Sequence, residues 1–126
     1  MNDRQRDPHY PGRAAIEAYG AGGFRFAGMS HRGAILALPA GIWAWAPNSS
    51  SEIDEASLAR VIAVRDEIDI LLIGTGREHG PLPEALQLRL RELGIRFDVM
   101  TTSAAASTYN ILLAEGRRAA VALLPG

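Results

Sequence analysis

Two short polar clusters hold most of the residues in this 126-residue chain that could do chemistry. One is Gly74-Thr75-Gly76 with Arg77 behind it, and the other is Thr101-Thr102-Ser103. Each follows an apolar run, Ile68 to Ile73 for the first and Ile95 to Met100 for the second. If those runs are parallel neighbouring strands, both clusters emerge at one sheet edge, where open α/β sheets bind ligands. A helix starting near Ser103 would aim backbone N–H groups into that crevice, a place that anions favour. The hydroxyls of Thr75, Thr101, Thr102 and Ser103 would add donors, and Arg77 and His79 cationic character. These features make Gly74, Thr75, Gly76, Arg77, Thr101, Thr102 and Ser103 a candidate small-anion site. The same residues have a plainer use. Gly-Thr-Gly lacks the spacing of a dinucleotide or P-loop fingerprint and can serve a turn alone. Thr102 or Ser103 can be nothing more than a helix cap.

The remaining polar residues point to structure more than to catalysis. His9, His31 and His79 fall on three separate loops or tails with no ligand spacing, so no metal site is expected. Ser30-His31 reads as a surface turn, since neighbours in sequence do not make a triad. Asp69 lies among apolar residues in a strand, which predicts a sheet margin or an arginine partner. Tyr109 falls on the apolar arc of a helix and reads as core. Asn110, poor in a helix interior, is expected to bond something specific, either a structural clamp or a ligand. Trp43 and Trp45 share one strand face, and Leu88 lies opposite the buried stripe of its helix. Either could mark an interaction surface; the plainer reading is core packing for the tryptophans and a lone exposed leucine for Leu88.

Composition narrows the function classes. A formal net charge of -1 without a basic block gives a nucleic-acid partner no electrostatic support. The absence of cysteine excludes disulfides and thiolate chemistry, and suits the cytoplasm. No apolar run reaches the roughly 18 to 20 residues that span a bilayer. Residues 1–13 read as a disordered lead and 14–126 as a single domain.

The elements that must position the two clusters follow from periodicity. Residues 14–46 carry short apolar runs with glycine punctuation, read as antiparallel hairpins, with Ser30 to Gly33 supplying turn residues. Asp54 is a good N-cap for a first helix reaching about Val64, with Ile53 and Leu58 as a hydrophobic staple. Ile68 to Ile73, apolar on both faces, is expected at the centre of the sheet. Pro83 suits the first turn of a helix along Leu82, Leu86, Leu90 and Leu93, which Gly94 ends. A third helix runs to Glu115, and Ala119 to Leu124 is the last strand. The resulting fold class is α/β: a three-layer single domain with a mixed central β-sheet, N-terminal hairpins and helices packed on the sheet.

Several of these pieces together resemble one family. They are Gly74-Thr-Gly76, Gly94 to Thr102, Ala105 to Arg117 with its Thr-Tyr-Asn and Glu-Gly-Arg, and Ala120 to Pro125. The family is the small domain-of-unknown-function group that includes mitochondrial complex I assembly factor 3. The resemblance covers about residues 14–125. It implies a three-layer α/β domain with a mixed sheet and leaves the direction of the last strand open. It marks Tyr109, Asn110, Glu115 and Arg117 as motif residues and brings no catalytic residue or cofactor. Members often carry an acid where this chain has Thr101. The implied role is a non-enzymatic interaction protein with protein partners in respiratory-complex assembly. Peripheral membrane association and a homo-oligomer are compatible with it. The alternative is a small-anion binder or enzyme using the crevice between Gly74 and Ser103.

Overall fold

A computed structural model describes residues 8–126. The expected disordered lead falls mostly on residues 1–7, outside the described part. Within its remainder, residues 8–13, the His9 and Tyr10 N–H groups donate to the Ile42 carbonyl, so the expected disorder does not extend over these two residues.

Among the described residues, eight strands form two sheets and three α-helices pack against them. A five-stranded sheet has the order β5-β4-β8-β6-β7. Its strands are β4 (Ile35–Leu38), β5 (Gly41–Ala44), β6 (Ile70–Gly74), β7 (Phe97–Met100) and β8 (Ala119–Leu123). The strands β6 and β7 are parallel neighbours. The last strand runs parallel to β6 and antiparallel to β4, so the sheet is mixed across β8 itself. This corrects one expectation: the middle strand is β8, and β6 lies one place from the edge. Ala-Ala-Val-Ala-Leu carries less apolar bulk than Ile-Leu-Leu-Ile. Its small side chains instead let layers close in on both faces, and all five residues are buried.

The helices are α1 (Ala59–Ala63), α2 (Glu84–Glu92) and α3 (Thr102–Ala114). One face of the sheet packs Leu71, Ile73, Ala120 and Ala122 with Leu58, Val61, Leu86 and Leu90. The other packs Leu72, Val121 and Leu123 with Ala105, Ala106 and Tyr109 of α3. The first helix is shorter than expected, because a 3₁₀ turn over Ala56–Leu58 precedes it. The N-caps are Glu55 for that turn and Leu58 for α1, so Asp54 lies one residue ahead of the capping position expected of it. Its Oδ1 still accepts the Ser57 N–H at 2.8 Å. Ile53 and Leu58 are both fully buried beside it. Pro83 is the N-cap of α2, one residue earlier than expected, and its carbonyl accepts from Leu86 and Gln87.

The hairpin region divides in two. The pair β4–β5 joins the main sheet. A separate antiparallel sheet holds β1 (Ile16–Gly20), β2 (Gly23–Phe26) and β3 (Met29–Arg32). Ser30 to Arg32, expected in a turn, are strand residues. The turn lies earlier, where Ala27 and Gly28 take positive φ of 50° and 73°. Phe24 and Phe26 press this small sheet onto the α3 side of the core.

Asn110 fixes the small sheet to α3. Its Oδ1 accepts the Ile16 N–H at 2.8 Å and its Nδ2 donates to the Ile16 carbonyl at 2.9 Å. One primary amide thus replaces a neighbouring strand at the edge of β1, the clamp role expected of this residue. Asn110→Ala should lower unfolding stability by about 1–3 kcal/mol in denaturant titration. It should also speed hydrogen exchange at Ile16. An unchanged midpoint would contradict the clamp.

Candidate functional site

The parallel pairing of β6 and β7 brings the two polar clusters to one corner. The Thr75 N–H donates to the Met100 carbonyl at 2.9 Å, and the Thr102 N–H to the Gly76 carbonyl at 2.8 Å. Thr102 is wholly buried there. Its hydroxyl accepts the Gly76 N–H at 2.9 Å and donates to the Leu124 carbonyl at 2.5 Å. The Leu124 N–H returns to the Gly74 carbonyl at 2.9 Å. Gly74 has no room for a side chain, since a Cβ would stand 2.8 Å from both Thr102 Cα and Leu123 Cδ2. The turn, the last strand and the start of α3 are therefore tied to one another through one hydroxyl.

Most donors expected to face a ligand are engaged in this knot. The Thr75 hydroxyl accepts the Gly80 N–H at 2.8 Å and lies 3.1 Å from the Glu78 carbonyl. Thr101 is the N-cap of α3 and accepts the Ala104 N–H at 3.3 Å. The Thr101 and Ser103 hydroxyls lie 3.3 Å apart. What faces outward is smaller: Gly76, Arg77 and Ser103 line an open cavity of about 230 Å³ with Tyr19 and Gly126.

The motif residues of α3 and the turn after it stand apart from the corner. Tyr109 is buried in the core, and that burial pushes its phenol above the ordinary range. Glu115 is exposed at the end of α3, where its N–H closes the last turn on Ile111. Arg117 lies 3.9 Å from Asp69, while Arg118 contacts the same carboxylate at 3.0 Å. The expected arginine partner of Asp69 is thus Arg118, joining the chain ahead of β6 to the chain ahead of β8. The Arg118 N–H and guanidinium hold the Asp69 carboxyl below its usual range, with Arg117 adding to the pull.

Three features go beyond what the sequence settled. His9 and His31, expected on unrelated loops, sit with ring centroids 5.0 Å apart. Burial, and then the charge of His9, hold His31 below the ordinary histidine range. Both tryptophans are core, which removes them as a surface. Trp45 donates to the Ser57 carbonyl at 2.8 Å, and Trp43 lies under the Arg60 guanidinium at 4.7 Å. The histidine contact joins segments far apart in sequence, so no local signal could have found it, whereas core packing was one of the two readings open for the tryptophans. The exposed face of α3 is the third. Ser103, Ala104, Ser107, Ile111 and Ala114 all face solvent, and the helix carries no charged residue. Ile111 is 59% exposed, and Leu88 on α2 is 55% exposed, as its position predicted.

A family model described as "Protein of unknown function (DUF498/DUF598)" matches residues 16–124. The chain is 39% identical over 120 residues to an uncharacterized protein of Rhodobacter capsulatus, covering 95% of this chain and 91% of that one. It is 32% identical over 117 residues to the mouse protein named NADH dehydrogenase (ubiquinone) 1 alpha subcomplex assembly factor 3. That match covers 92% of this chain but 63% of the mouse protein, less than two thirds of its length. A crystal structure described as an outer membrane protein from Bartonella henselae superposes with a TM-score of 0.87 at 49% identity. It covers 93% of this chain and 98% of that one. Among the described residues of this chain, no helix is long and apolar enough to cross a membrane.

The Asp69 contacts give stability a pH dependence of definite sign. The folded-state carboxyl is depressed, so its contribution is present above the unfolded aspartate value of about 3.9 and lost as pH falls through the lower folded value. In denaturant titrations below about pH 4, wild type should lose stability more steeply than Asp69→Asn. Identical acid limbs would show that the Arg118 contact contributes nothing.

Proposed function

We propose, for a chain that belongs to the DUF498/DUF598 family of unknown function, that it is a non-enzymatic interaction protein helping to assemble respiratory complex I. The observation that carries this reading is the similarity to the mouse assembly factor over 92% of the chain, through both sheets and α3. The side-chain chemistry supports it as well. Thr75, Thr102, Asn110 and Asp69 are engaged in bonds that hold the fold, leaving recognition to the surface.

In this reading α3 presents the docking face. An exposed helix surface of Ser103, Ala104, Ser107 and Ile111 carries no charge to desolvate when a partner closes over it. Small residues permit close backbone approach, and Ile111 supplies an apolar anchor. The corner of Gly74 to Gly76 and Thr102 then serves to aim α3, with the chain working from the cytoplasmic side of the membrane.

Affinity capture from detergent-solubilised respiratory membranes tests this. The wild-type chain should recover identified NADH dehydrogenase subunits. Ile111→Glu should lower that recovery about tenfold, a loss of about 1.4 kcal/mol, without changing the melting temperature. Recovery of no such subunit would contradict the assembly role, and recovery insensitive to Ile111→Glu would contradict the α3 face.

A further inference from the structure

The outward face of the small sheet is a second surface with its own chemistry. Strand register fixes what stands on it. Ala18 pairs with Arg25 and Gly20 with Gly23, while Arg25 pairs with Ser30 and Gly23 with Arg32. Residues opposite one another share a face, so Ala18, Gly20, Gly23, Arg25, Ser30 and Arg32 lie together. Each arginine stands across from a small residue, and the two occupy diagonal positions within reach of long side chains.

The floor between them is open for a backbone reason. Gly20 has a φ of 139°, a conformation unfavourable to any side chain. A Cβ on Gly23 would collide with the His31 carbonyl oxygen. The two opposed glycines leave an open hollow of about 520 Å³ that Tyr19, Arg25, Ser30 and Arg32 help to wall. The Ser30 hydroxyl accepts from Arg25 Nη1 at 2.8 Å and steadies that guanidinium.

Among the described residues, the three strands themselves offer these cations little counter-charge. Glu17 is the one acid in β1, β2 and β3, and its Oε1 is turned to the Gly28 N–H at 3.2 Å. Among the described residues neither Arg25 nor Arg32 forms an ion pair. Two guanidinium forks beside a concave, side-chain-free floor match adjacent phosphoryl groups, whose oxygens accept bidentate bonds.

We propose that the hollow on β1–β3 binds a small molecule through a diphosphate-like pair of phosphoryl groups held between Arg25 and Arg32. The hollow is distinct from the α3 face and does not depend on the assembly role.

Inorganic pyrophosphate is the probe, titrated into the isotope-labelled chain at about 0.15 M ionic strength to suppress loose surface binding. The expected result is a saturable isotherm with Kd below about 1 mM and amide shifts centred on Gly20, Gly23, Arg25 and Arg32. Arg25→Gln and Arg32→Gln should each weaken binding at least about fivefold while melting as wild type, the side chains being exposed. Arg96→Gln, on an exposed arginine ahead of β7, should leave the isotherm unchanged. A parallel arm offers phosphatidylglycerol vesicles, which carry phosphoryl groups on a lipid surface. Vesicle binding without pyrophosphate binding would overturn the small-molecule assignment. Linear, unsaturated shifts, or equal losses from Arg96→Gln, would overturn the site. The shift map on wild-type chain stands even if a variant fails to fold.

Discussion

One buried hydroxyl holds the architecture at its most crowded point. Thr102 has no solvent exposure, and its oxygen serves one donor and one acceptor belonging to two other segments. A hydroxyl in such a place must find partners, because leaving the group unpaired costs about 1–3 kcal/mol. It finds the Gly76 N–H after β6 and the Leu124 carbonyl after β8. The direction of α3 is set in the same place, since Thr102 is its first residue. Everything that α3 positions depends on this tie: the Asn110 clamp on β1, the Tyr109 packing and the exposed face around Ile111.

That constraint separates structural polar chemistry from chemistry available to partners. At the corner, donors are turned inward, and what reaches solvent is Arg77 and Ser103 beside a small cavity. On the small sheet the balance is reversed. There the backbone needs glycine at two opposed positions, and among the described residues the arginines beside them form no ion pair. The uncharged outer face of α3 makes a third kind of surface, with little desolvation cost for a protein partner. The chain therefore presents a charged hollow and a neutral helix on separate elements, both anchored to one core.

Legibility in the sequence followed the range of the interactions. Local signals were readable: the staple of Ile53 and Leu58, the leucine stripe of α2, Gly94 and Gly116 beyond their helices, and the misfit Asn110. The parallel pair β6 and β7 was readable because a helix between two apolar runs makes a right-handed crossover. The rank of β8 was not, since alanines carry little apolar weight although their size suits the middle of a sheet. Ser30 to Arg32 looked like a turn because polar residues at an exposed edge strand have turn composition. The seven corner residues do come together, but sequence could not show that Thr102 would turn inward to the backbone. That outcome depends on Leu124, which arrives from the far end of the chain.

Hydrogen exchange at the Gly76 amide tests the tie most directly, because that proton has the Thr102 hydroxyl as its partner. The Gly76 N–H should exchange through the same global opening as the Leu124 N–H, with protection within about a factor of ten of it. In Thr102→Val, that protection should fall at Gly76 first. A Gly76 amide that exchanges in wild type as fast as an exposed loop would contradict the tie, and with it the placement of α3 on which both faces rest.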